Sequence, residues 1–426
     1  MLGTKRLLCV IAYVAGQLIH LSRPTEAYLR RMQTISLRKG RESALVRRSP
    51  WVFSGAIHHE PDGLADGDLV RVSDQQGQPL GVGHYQAGSI RVRMLHFGTE
   101  DLPENFYTRQ LQQAIDVRQQ LGLADDPLTN TYRLVHAAGD GLPGLVIDRY
   151  GSVAVVQCHS IGMHRQRQQI AAALLQLLPD VITTVHDKSS KSLPERYAVS
   201  LKDGILAGPD VQELRVLEHG RRFRIDIANG QKTGFFIDQR ENRWLLGSYA
   251  KDKRVLNTFC YTGGFSVYAL LGGATQVQSI DLSATATELT GLNVSDNGDF
   301  TERSEIATAD VMDWLKEHAA ADSYDIVVVD PPAFAKNKHR RHKAVQAYKR
   351  LNARAIQVIK PGGLLFTFSC SRVVDRQLFY DTIVAAGLEV GRPVRVLHHL
   401  GQGPDHPVSL YHPEGEYLKG LVLRID

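Results

Sequence analysis

The alternation of apolar and polar residues changes character along the chain. Between residues 32 and 106, short runs such as Asp68-Leu-Val-Arg-Val-Ser alternate apolar with polar positions and are separated by turns such as Pro61-Asp-Gly. A period of two is typical of half-buried strands, and Gly, Asp and Pro mark the turns between them. The pattern predicts a small β-barrel for residues 32–106.

Residues 107–218 mix helical and strand-like patterns. We predict helices over 107–121 and 163–178, and strands near 132–136, 145–149, 153–159 and 181–185. This composition indicates a middle α/β domain, in which no catalytic set of residues is apparent. A hairpin around His219-Gly220 is expected to join it to the last domain.

Residues 219–426 repeat a strand, a glycine-containing turn and a helix. This order is typical of a doubly wound parallel sheet, so the fold class is α/β with a Rossmann-like C-terminal domain. The last two candidate strands are near-continuous apolar runs, as expected for strands covered on both faces. The candidate strands are 254–259, 277–281, 305–309, 324–330 and 363–369.

Length, charge and composition narrow the class of protein. A chain of 426 residues with 43% hydrophobic and 22% charged residues suits two or three globular domains without a membrane-spanning architecture. The net charge of +5 fits a polyanionic partner without requiring one. Four separated cysteines without a C-x-x-C pair argue against a disulfide framework or a metal site. They favour a reducing compartment, the cytoplasm.

The first 31 residues form a separate segment. Lys5-Arg6 precedes an apolar run, Leu7 to Ile19, that resembles a secretory signal but is too short to span a bilayer and lacks a clean cleavage site. We interpret residues 1–31 as a leader or a non-functional extension, with Met32 as the functional start.

The first strand of the last domain leads into a candidate cofactor loop. Phe259, Tyr261 and Gly263 lie in Asn257-Thr-Phe-Cys-Tyr-Thr-Gly-Gly, where glycine permits a sharp turn beside a ligand. Asp281 follows 18 residues after Gly263, a spacing suited to ribose hydroxyls, and Asp310 is placed to meet an adenine amino group. The loop is not G-x-G-x-x-G, which disfavours a dinucleotide.

The fourth strand ends in Asp330-Pro331-Pro332, followed by Ala333 and Phe334. A strand-terminal Asp-Pro-Pro is characteristic of nucleic-acid methyltransferases, because the rigid prolines fix the backbone beside the target base. The last domain is therefore predicted to bind S-adenosylmethionine, with Asp330, Pro331 and Pro332 at the base.

Cys370 ends the fifth strand at the same edge of the sheet as Asp281 and Asp330. Carbon 5 of cytosine needs a thiolate added at carbon 6 before it can attack a methyl sulfonium, so Cys370 is the candidate nucleophile. A helix beginning just after Arg372 is expected to lower its pKa. Cys158 is expected to pack in an apolar strand, and Cys260 to face the methyl donor rather than the base.

Two basic segments are candidates for RNA contact. The first has five cations in eight residues next to the presumed base pocket, and the second lies on the N-terminal domain. Lys and Arg contacts to phosphates release counterions and supply affinity. The residues proposed to touch RNA in these segments are Lys336, Lys338, Arg340, Arg341, Lys343, Arg47 and Arg48.

The ordered motifs after Met32 closely resemble the RlmI-like family of large-subunit ribosomal RNA cytosine-C5 methyltransferases. The motifs that carry this resemblance are Arg47 to Gly55, Asp140-Gly-Leu-Pro-Gly, Lys232-Thr-Gly-Phe-Phe-Ile-Asp-Gln-Arg, the Tyr261 loop, Asp330-Pro-Pro, Ser369-Cys-Ser, Asp405-His-Pro and Glu414-Gly-Glu-Tyr-Leu-Lys-Gly.

The resemblance implies a PUA domain over residues 32–106, S-adenosylmethionine as methyl donor and a cytidine of large-subunit ribosomal RNA as target. It also implies that Gln239 and Arg240 help to close the cofactor pocket. Many relatives in the wider class carry a second cysteine near Asp-Pro-Pro, but Pro332 and Ala333 offer none here. The base that removes the carbon-5 proton is therefore open. Asp330, expected to hold cytosine through N3, is one candidate.

Two rival functions stay open from the sequence. An amino-group methyltransferase also uses Asp-Pro-Pro but normally follows it with an aromatic residue, where this chain has Ala333. A non-catalytic PUA-containing RNA-binding or assembly factor would not need Cys370. The sequence does not fix the target nucleotide, and it allows either naked RNA or an assembling subunit as the substrate. The oligomeric state is open, with a homodimer as one option.

Overall fold

The computed structural model describes residues 32–211, 213–335 and 337–426. Before them it describes only the backbone of two antiparallel strands, β1 (Tyr13–Val14) and β2 (Gln17–Leu18). The remainder of the predicted leader lies outside the described residues, as do Lys336 and the side chain of Lys338. None of the helices in this described part has the length and apolar character of a bilayer-spanning segment.

The N-terminal domain is a six-stranded sheet in the order β4-β8-β7-β6-β3-β5 around its own apolar core. Alternation within β4 buries Val52 and leaves Phe53 51% exposed, so Phe53 is not a core residue. The elements are β3 (Thr34–Leu37), α1 (Ser43–Val46), β4 (Trp51–Phe53), the 3-10 turn Ser54–Ala56, β5 (Ile57–His59), β6 (Leu69–Ser73), β7 (Pro79–Tyr85) and β8 (Ile90–Phe97).

The middle domain packs two longer helices on a five-stranded sheet of order β13-β12-β11-β10-β9. The single helix predicted over 163–178 is two helices, because Gln166 leaves helical geometry at φ −92° and ψ 1°. The elements are α2 (Phe106–Gln120), β9 (Thr131–His136), the 3-10 turn Ala137–Asp140, β10 (Leu145–Tyr150), β11 (Val153–Cys158), α3 (Ile161–Arg165), α4 (Arg167–Leu177), β12 (Thr184–Asp187), α5 (Glu195–Ala198) and β13 (Gly204–Ala207).

The hairpin expected at His219-Gly220 is present as β14 (Leu214–Glu218) and β15 (Arg221–Ile225). Both turn residues have positive φ, 48° and 77°, as a tight two-residue hairpin turn requires. The predicted domain boundary at residue 219 therefore falls inside one hairpin. Its apolar residues share a core cluster with both the middle and the C-terminal domains.

The C-terminal domain is a seven-stranded sheet in the order β18-β17-β16-β19-β20-β22-β21. The first five strands in this order are parallel, and β22 and β21 add antiparallel pairs at one edge. One apolar cluster includes residues of the helices at 240–249 and 264–271. A separate cluster includes residues of the helices at 311–318, 341–358 and 376–390. The carboxyl ends of the five parallel strands therefore meet at one edge, where ligands of such sheets bind.

All five predicted strands are found, and the fifth begins earlier than predicted, at Ile359. The helices are α6 (Arg240–Tyr249), α7 (Gly264–Leu271), α8 (Ala284–Ser295), α9 (Val311–His318), α10 (Arg341–Val358) and α11 (Arg376–Val390), with 3-10 turns Ile237–Gln239, Lys338–Arg340 and Pro413–Gly415. The strands are β16 (Arg254–Thr258), β17 (Gln276–Asp281), β18 (Ser304–Thr308), β19 (Tyr324–Val329), β20 (Ile359–Ser369), β21 (Val394–Leu400) and β22 (Lys419–Ile425).

Candidate active site

A cavity of about 590 Å³ lies at the carboxyl edge of the parallel sheet. Its volume is within the range of small-molecule sites. Most of the residues predicted to act on cofactor or base line it: Gln239, Phe259, Tyr261, Asp281, Asp310, Asp330, Pro331, Pro332 and Cys370. The structure thus brings together residues that are up to 131 positions apart in the sequence, from 239 to 370.

Asp281 organises one end of this cavity. Its Oδ2 accepts a hydrogen bond from the backbone N–H of Tyr261 at 2.9 Å, and its Oδ1 accepts one from Ser283 N–H at 2.9 Å. Phe259 and Tyr261 both have positive φ, 56° and 49°. Non-glycine residues held in this region cluster at ligand sites, so the loop geometry agrees with a binding role.

Gly263 shapes the loop without lining the cavity. It has φ +79°, and a Cβ added there would lie 2.6 Å from Thr290 Cγ2. Asp310 lines the cavity and also begins α9, where its Oδ1 accepts hydrogen bonds from the N–H groups of Met312 and Asp313 at 2.9 and 3.1 Å. Its carboxylate is therefore partly used as a helix cap.

Gln239 and Arg240 are adjacent in sequence but differ in position. Gln239 lines the cavity and donates from Nε2 to Asp330 Oδ2 at 3.0 Å. Arg240 does not line it, because its fully buried guanidinium points to Asp405. The arginine therefore packs behind the cavity wall. Its contacts do not agree with the expectation that Arg240 closes the cofactor pocket.

Asp330 lies in a desolvated environment at the end of β19. Burial raises its pKa to about 7, and the nearby Asp238 carboxylate adds to that rise, while Lys232 and the Gln239 amide oppose it. A carboxyl group with this pKa can hold a proton near neutral pH. It can therefore donate a hydrogen bond as well as accept one.

Cys370 is half-buried directly after β20. Burial raises the pKa of its thiol; Lys232 opposes the rise, and Asp330 and Asp238 add to it. The expectation of a lowered pKa is thus wrong. Its physical basis is also missing, because α11 begins at Arg376, capped by Asp375, rather than just after Arg372.

Burial disfavours the reactive thiolate form of the other two described cysteines. Cys158 is buried in β11, and burial raises the pKa of its thiol to about 12. Cys260 lines the cavity but is also buried, with a pKa raised to about 12 by burial and by Asp281. The burial of Cys158 agrees with its expected packing, the orientation of Cys260 toward the methyl donor stays a prediction, and Cys9 lies outside the described residues.

A second cavity, of about 540 Å³, is lined by all three domains. The N-terminal domain contributes Trp51 and Arg93, and the C-terminal domain contributes Arg372 and Tyr417. Among the described residues, only Lys232 and Cys370 line both cavities. The two spaces therefore meet at the candidate nucleophile.

Several residues of the second cavity were not predicted from the sequence. Trp51 contacts His412 edge-on at 4.3 Å between ring centroids, which places it at a domain interface rather than in the core. Arg93 Nη1 is buried and has no hydrogen-bond partner in the described part of the chain. The alternating pattern of β8 could have placed Arg93 on the face of the strand opposite the core residues Val92 and Met94, but not its neighbours in space.

The predicted basic residues whose side chains the structure describes line neither cavity. Arg340, Arg341 and Lys343 are exposed at the start of α10, and Lys336 lies outside the described residues. Arg47 and Arg48 follow α1 at the surface of the N-terminal domain. Phe334 packs on Tyr348 with ring centroids 4.7 Å apart, so it is not presented to stack on a base in the cavity.

Comparisons with known proteins agree with this geometry. A family model described as S-adenosylmethionine-dependent methyltransferase matches residues 132–405, and one described as PUA-like domain matches residues 35–97. The crystal structure of SMU.776 in complex with SAH superposes with a TM-score of 0.79 over 92% of this chain and 100% of that chain, at 24% identity. At that identity the likeness shows the fold alone. The fold and the site define an S-adenosylmethionine-dependent methyltransferase that carries a PUA-like domain.

Proteins of similar sequence show which family of methyltransferases the chain belongs to. The ribosomal RNA large subunit methyltransferase I of Aeromonas hydrophila is 40% identical over 92% of this chain and 99% of its own length. The protein of the same name from Escherichia coli is 39% identical over 91% of this chain and 98% of its own length. The chain belongs to the family of ribosomal RNA large subunit methyltransferase I.

Proposed function

We propose that this enzyme methylates carbon 5 of a cytidine in large-subunit ribosomal RNA, through a covalent bond between Cys370 and cytosine carbon 6. The observation that carries the proposal is the meeting of two cavities at Cys370. One cavity suits S-adenosylmethionine, and the other opens between the PUA-like domain and the catalytic edge. A base entering from the second cavity reaches the thiol and faces the cofactor.

The residues of the first cavity fit the cofactor. Asp281 is a strand-end carboxylate beside a loop of aromatic residues, and the Asp310 carboxylate lies on the same wall. When bound, S-adenosylmethionine supplies an electrophilic methyl group at the carbon to be modified. Side chains of this protein carry out the proton transfers and the addition to carbon 6.

Asp330 and Cys370 act together in the first step, the addition of the thiolate to cytosine. Asp330, with its pKa near 7, donates a proton to cytosine N3 while Cys370 adds to carbon 6, so that electrons move toward carbon 5. The raised thiol pKa keeps Cys370 protonated in the free enzyme, so its proton leaves to solvent through the second cavity before sulfur adds to carbon 6. We infer that the Lys232 ammonium stabilises the thiolate once the base has displaced water from the junction of the cavities.

The second cavity supports RNA as the substrate. Arg93 and Arg372 line it and form no ion pair among the described residues, so both are available to phosphates. Trp51 offers an aromatic edge at the same wall. We propose that the backbone flanking the target passes through this cavity, while the exposed segments at 340–343 and 47–48 add affinity outside it.

The test is a covalent trap. RNA carrying 5-azacytidine at the target position has no carbon-5 proton to lose, so its adduct with Cys370 should persist and migrate slowly in a denaturing gel. Cys370→Ala should abolish the band and methylation. Cys260→Ala is the matched control, since this thiol lines the same cavity, and it should retain the band.

Product analysis separates this proposal from its rivals. Hydrolysed RNA should contain 5-methylcytosine. Methylation of an exocyclic nitrogen would establish an amino-group methyltransferase, and S-adenosylmethionine binding without any methylated product from assembling subunits or naked RNA would favour an assembly factor. The packing of Phe334 against Tyr348 speaks against the first of these, because no aromatic then follows the prolines to stack on the base.

A further inference from the structure

The Asp238 carboxylate lies in the wall of the cofactor cavity with one oxygen unused. Its side chain is 4% exposed, and its Oδ2 accepts hydrogen bonds from the Tyr417 hydroxyl at 2.6 Å and the Lys232 ammonium at 3.0 Å. Oδ1 has no hydrogen-bond partner within the described part of the chain. A buried carboxylate oxygen without a donor is costly, so its retention indicates a role toward a ligand.

The environments of Asp238 and Asp330 shift the pKa values of the two carboxyl groups in opposite directions. Burial alone would raise the pKa of Asp238, but Lys232, His406 and the hydrogen bond from Tyr417 outweigh it and hold that pKa below its ordinary value. The pKa of Asp330 is raised instead, to about 7. Two carboxyl groups whose environments separate their protonation states mark an acid and a base.

The turn that carries Lys232 is rigidly held although it is strained. Lys232 has φ +51°, a conformation that non-glycine residues adopt mainly where function requires it. On one side, Gln231 N–H donates to the Tyr261 hydroxyl at 2.9 Å. On the other, the Thr233 hydroxyl donates to Asp148 Oδ2 at 2.6 Å. These contacts keep Lys232, and through it Asp238, beside Cys370.

Four carboxylates of the described chain line this cavity: Asp238, Asp281, Asp310 and Asp330. Asp281 and Asp310 bind backbone N–H groups at the cofactor end. Asp330 is assigned to N3 of the base. Asp238 alone of the four is bonded to Lys232, one of the two residues at the junction of the cavities. It is therefore the carboxylate connected to the thiol side of the site.

We propose that Asp238 is the base that removes the carbon-5 proton in the last step, an inference that rests on the proposed cytosine-C5 reaction. In the methylated adduct, Asp238 Oδ1 takes the proton from carbon 5. The electron pair of that C–H bond forms the double bond between carbons 5 and 6. The bond from carbon 6 to Cys370 Sγ breaks, and sulfur keeps its electron pair as a thiolate beside Lys232. The Asp330 carboxylate takes back the proton that it gave to N3, which leaves neutral 5-methylcytosine. Asp238, now a carboxylic acid, returns the proton to solvent.

Lys419 is a less suitable base. Burial lowers its pKa to about 8, but its ammonium donates to the carbonyl oxygens of Ser371 at 2.7 Å and Tyr417 at 2.8 Å, and it lines neither cavity. Its contacts hold the loop after Cys370 in place instead.

The experiment uses unmodified RNA, on which the wild-type enzyme turns over without accumulating an adduct. Asp238→Asn should complete addition and methyl transfer but fail to eliminate, so a protein–RNA band carrying a labelled methyl group should accumulate. General base catalysis is worth about 10²–10⁴-fold, so resolution of this adduct should slow by about 10²-fold or more. Asp330→Asn is the matched control, because it should impair addition and give little band.

A second variant guards against misfolding. Asp238→Glu keeps a negative charge opposite Lys232 but displaces the oxygen, and should slow resolution more than adduct formation. Thermal unfolding followed by circular dichroism reports whether either variant is folded. Resolution at the wild-type rate in a folded variant would overturn the assignment of Asp238.

The trapping and release experiments distinguish a failure of the role of Asp238 from a failure of the proposed cytosine-C5 mechanism. A wild-type enzyme that gives no 5-azacytidine adduct refutes the cytosine-C5 mechanism and the base together. A wild-type enzyme that is trapped by 5-azacytidine, combined with an Asp238→Asn variant that methylates and releases RNA normally, refutes only the role of Asp238. Release of tritium from carbon-5-labelled RNA gives a second readout, since Asp238→Asn should transfer methyl groups without releasing tritium.

Discussion

The Arg240 guanidinium donates hydrogen bonds of 2.9 and 3.1 Å to the two carboxylate oxygens of Asp405, and neither side chain has any exposed surface. Asp405 also accepts a hydrogen bond from the backbone N–H of Arg133 at 2.9 Å, and its carbonyl oxygen accepts one from Arg118 Nη2 at 2.7 Å. One buried aspartate thus fastens the middle domain to the helix that follows Gln239. It fixes the back of the cofactor cavity.

Removing that aspartate should destabilise the protein strongly. Asp405→Ala leaves the buried Arg240 guanidinium with only the half-exposed Glu241 carboxylate as an ion-pair partner, and we expect a loss of about 3–5 kcal/mol in the free energy of unfolding. Denaturant unfolding followed by circular dichroism measures it. Asp313→Ala breaks the exposed pair of Asp313 with Lys316, in which the side chains are 67% and 62% exposed, and should cost less than about 1 kcal/mol. Equal effects of the two variants would contradict the structural role of Asp405.

Asp281 should control cofactor affinity. Asp281→Ala removes the carboxylate that positions Tyr261 and is placed for the ribose hydroxyls, so S-adenosylmethionine binding should weaken by about 1.5–3 kcal/mol, the scale of hydrogen bonds to a charged group. Isothermal titration calorimetry gives the value directly. Glu305→Ala changes a carboxylate on neighbouring β18 that lies outside the cavity, and should leave affinity intact. An unaltered affinity of Asp281→Ala would remove Asp281 from the site.

The RNA contacts should separate into two groups. Arg93→Ala with Arg372→Ala should weaken RNA binding and, because these residues line the same cavity as Cys370, also slow adduct formation at saturating RNA. Neutralising Lys336, Lys338, Arg340, Arg341 and Lys343 should weaken binding and flatten its dependence on salt, with little effect on the rate at saturation. Binding measured between about 50 and 200 mM salt tests both. A salt slope that neither set changes would exclude both surfaces.

Strand positions and strand-end residues could be predicted from the sequence because the signal is local. The apolar runs over 324–330 and 363–369 lie in strands, as the pattern predicts. Asp281 is the last residue of β17, and Asp330 directly follows β19. Parallel topology then brings the strand ends together, so the order of strands along the chain is enough to assign Asp281, Asp330 and Cys370 to one edge of the sheet.

Long-range contacts account for what the sequence did not predict. Arg240 was assigned to the cofactor, but its charge is taken by Asp405, 165 residues further along the chain. The protonation of Cys370 depends on burial and on Lys232 and Asp238, whose proximity no local pattern encodes. Lys232 and Asp238 lie within a motif that indicated the family, yet only the fold assigns them to the thiol.

The last prediction concerns the reactivity of Cys370 in the absence of RNA. Iodoacetamide reacts with the thiolate, so the alkylation rate follows the ionised fraction of the thiol. Because burial raises the pKa of Cys370, the rate should be half-maximal above the ordinary pH of about 8.5.

Lys232→Met removes the cation that opposes this rise and should shift the profile to higher pH. Asp238→Asn removes an anion and should shift it to lower pH, so this variant should alkylate faster while it resolves the RNA adduct more slowly. Such opposite effects cannot arise from general loosening of the site. Cys370→Ala identifies the reacting thiol. Cys158 and Cys260, with pKa values raised to about 12, should stay largely unreacted below pH 9, and any reaction of Cys9 persists in this variant and is subtracted. Superimposable profiles for wild type, Lys232→Met and Asp238→Asn would show that neither charge acts on the nucleophile.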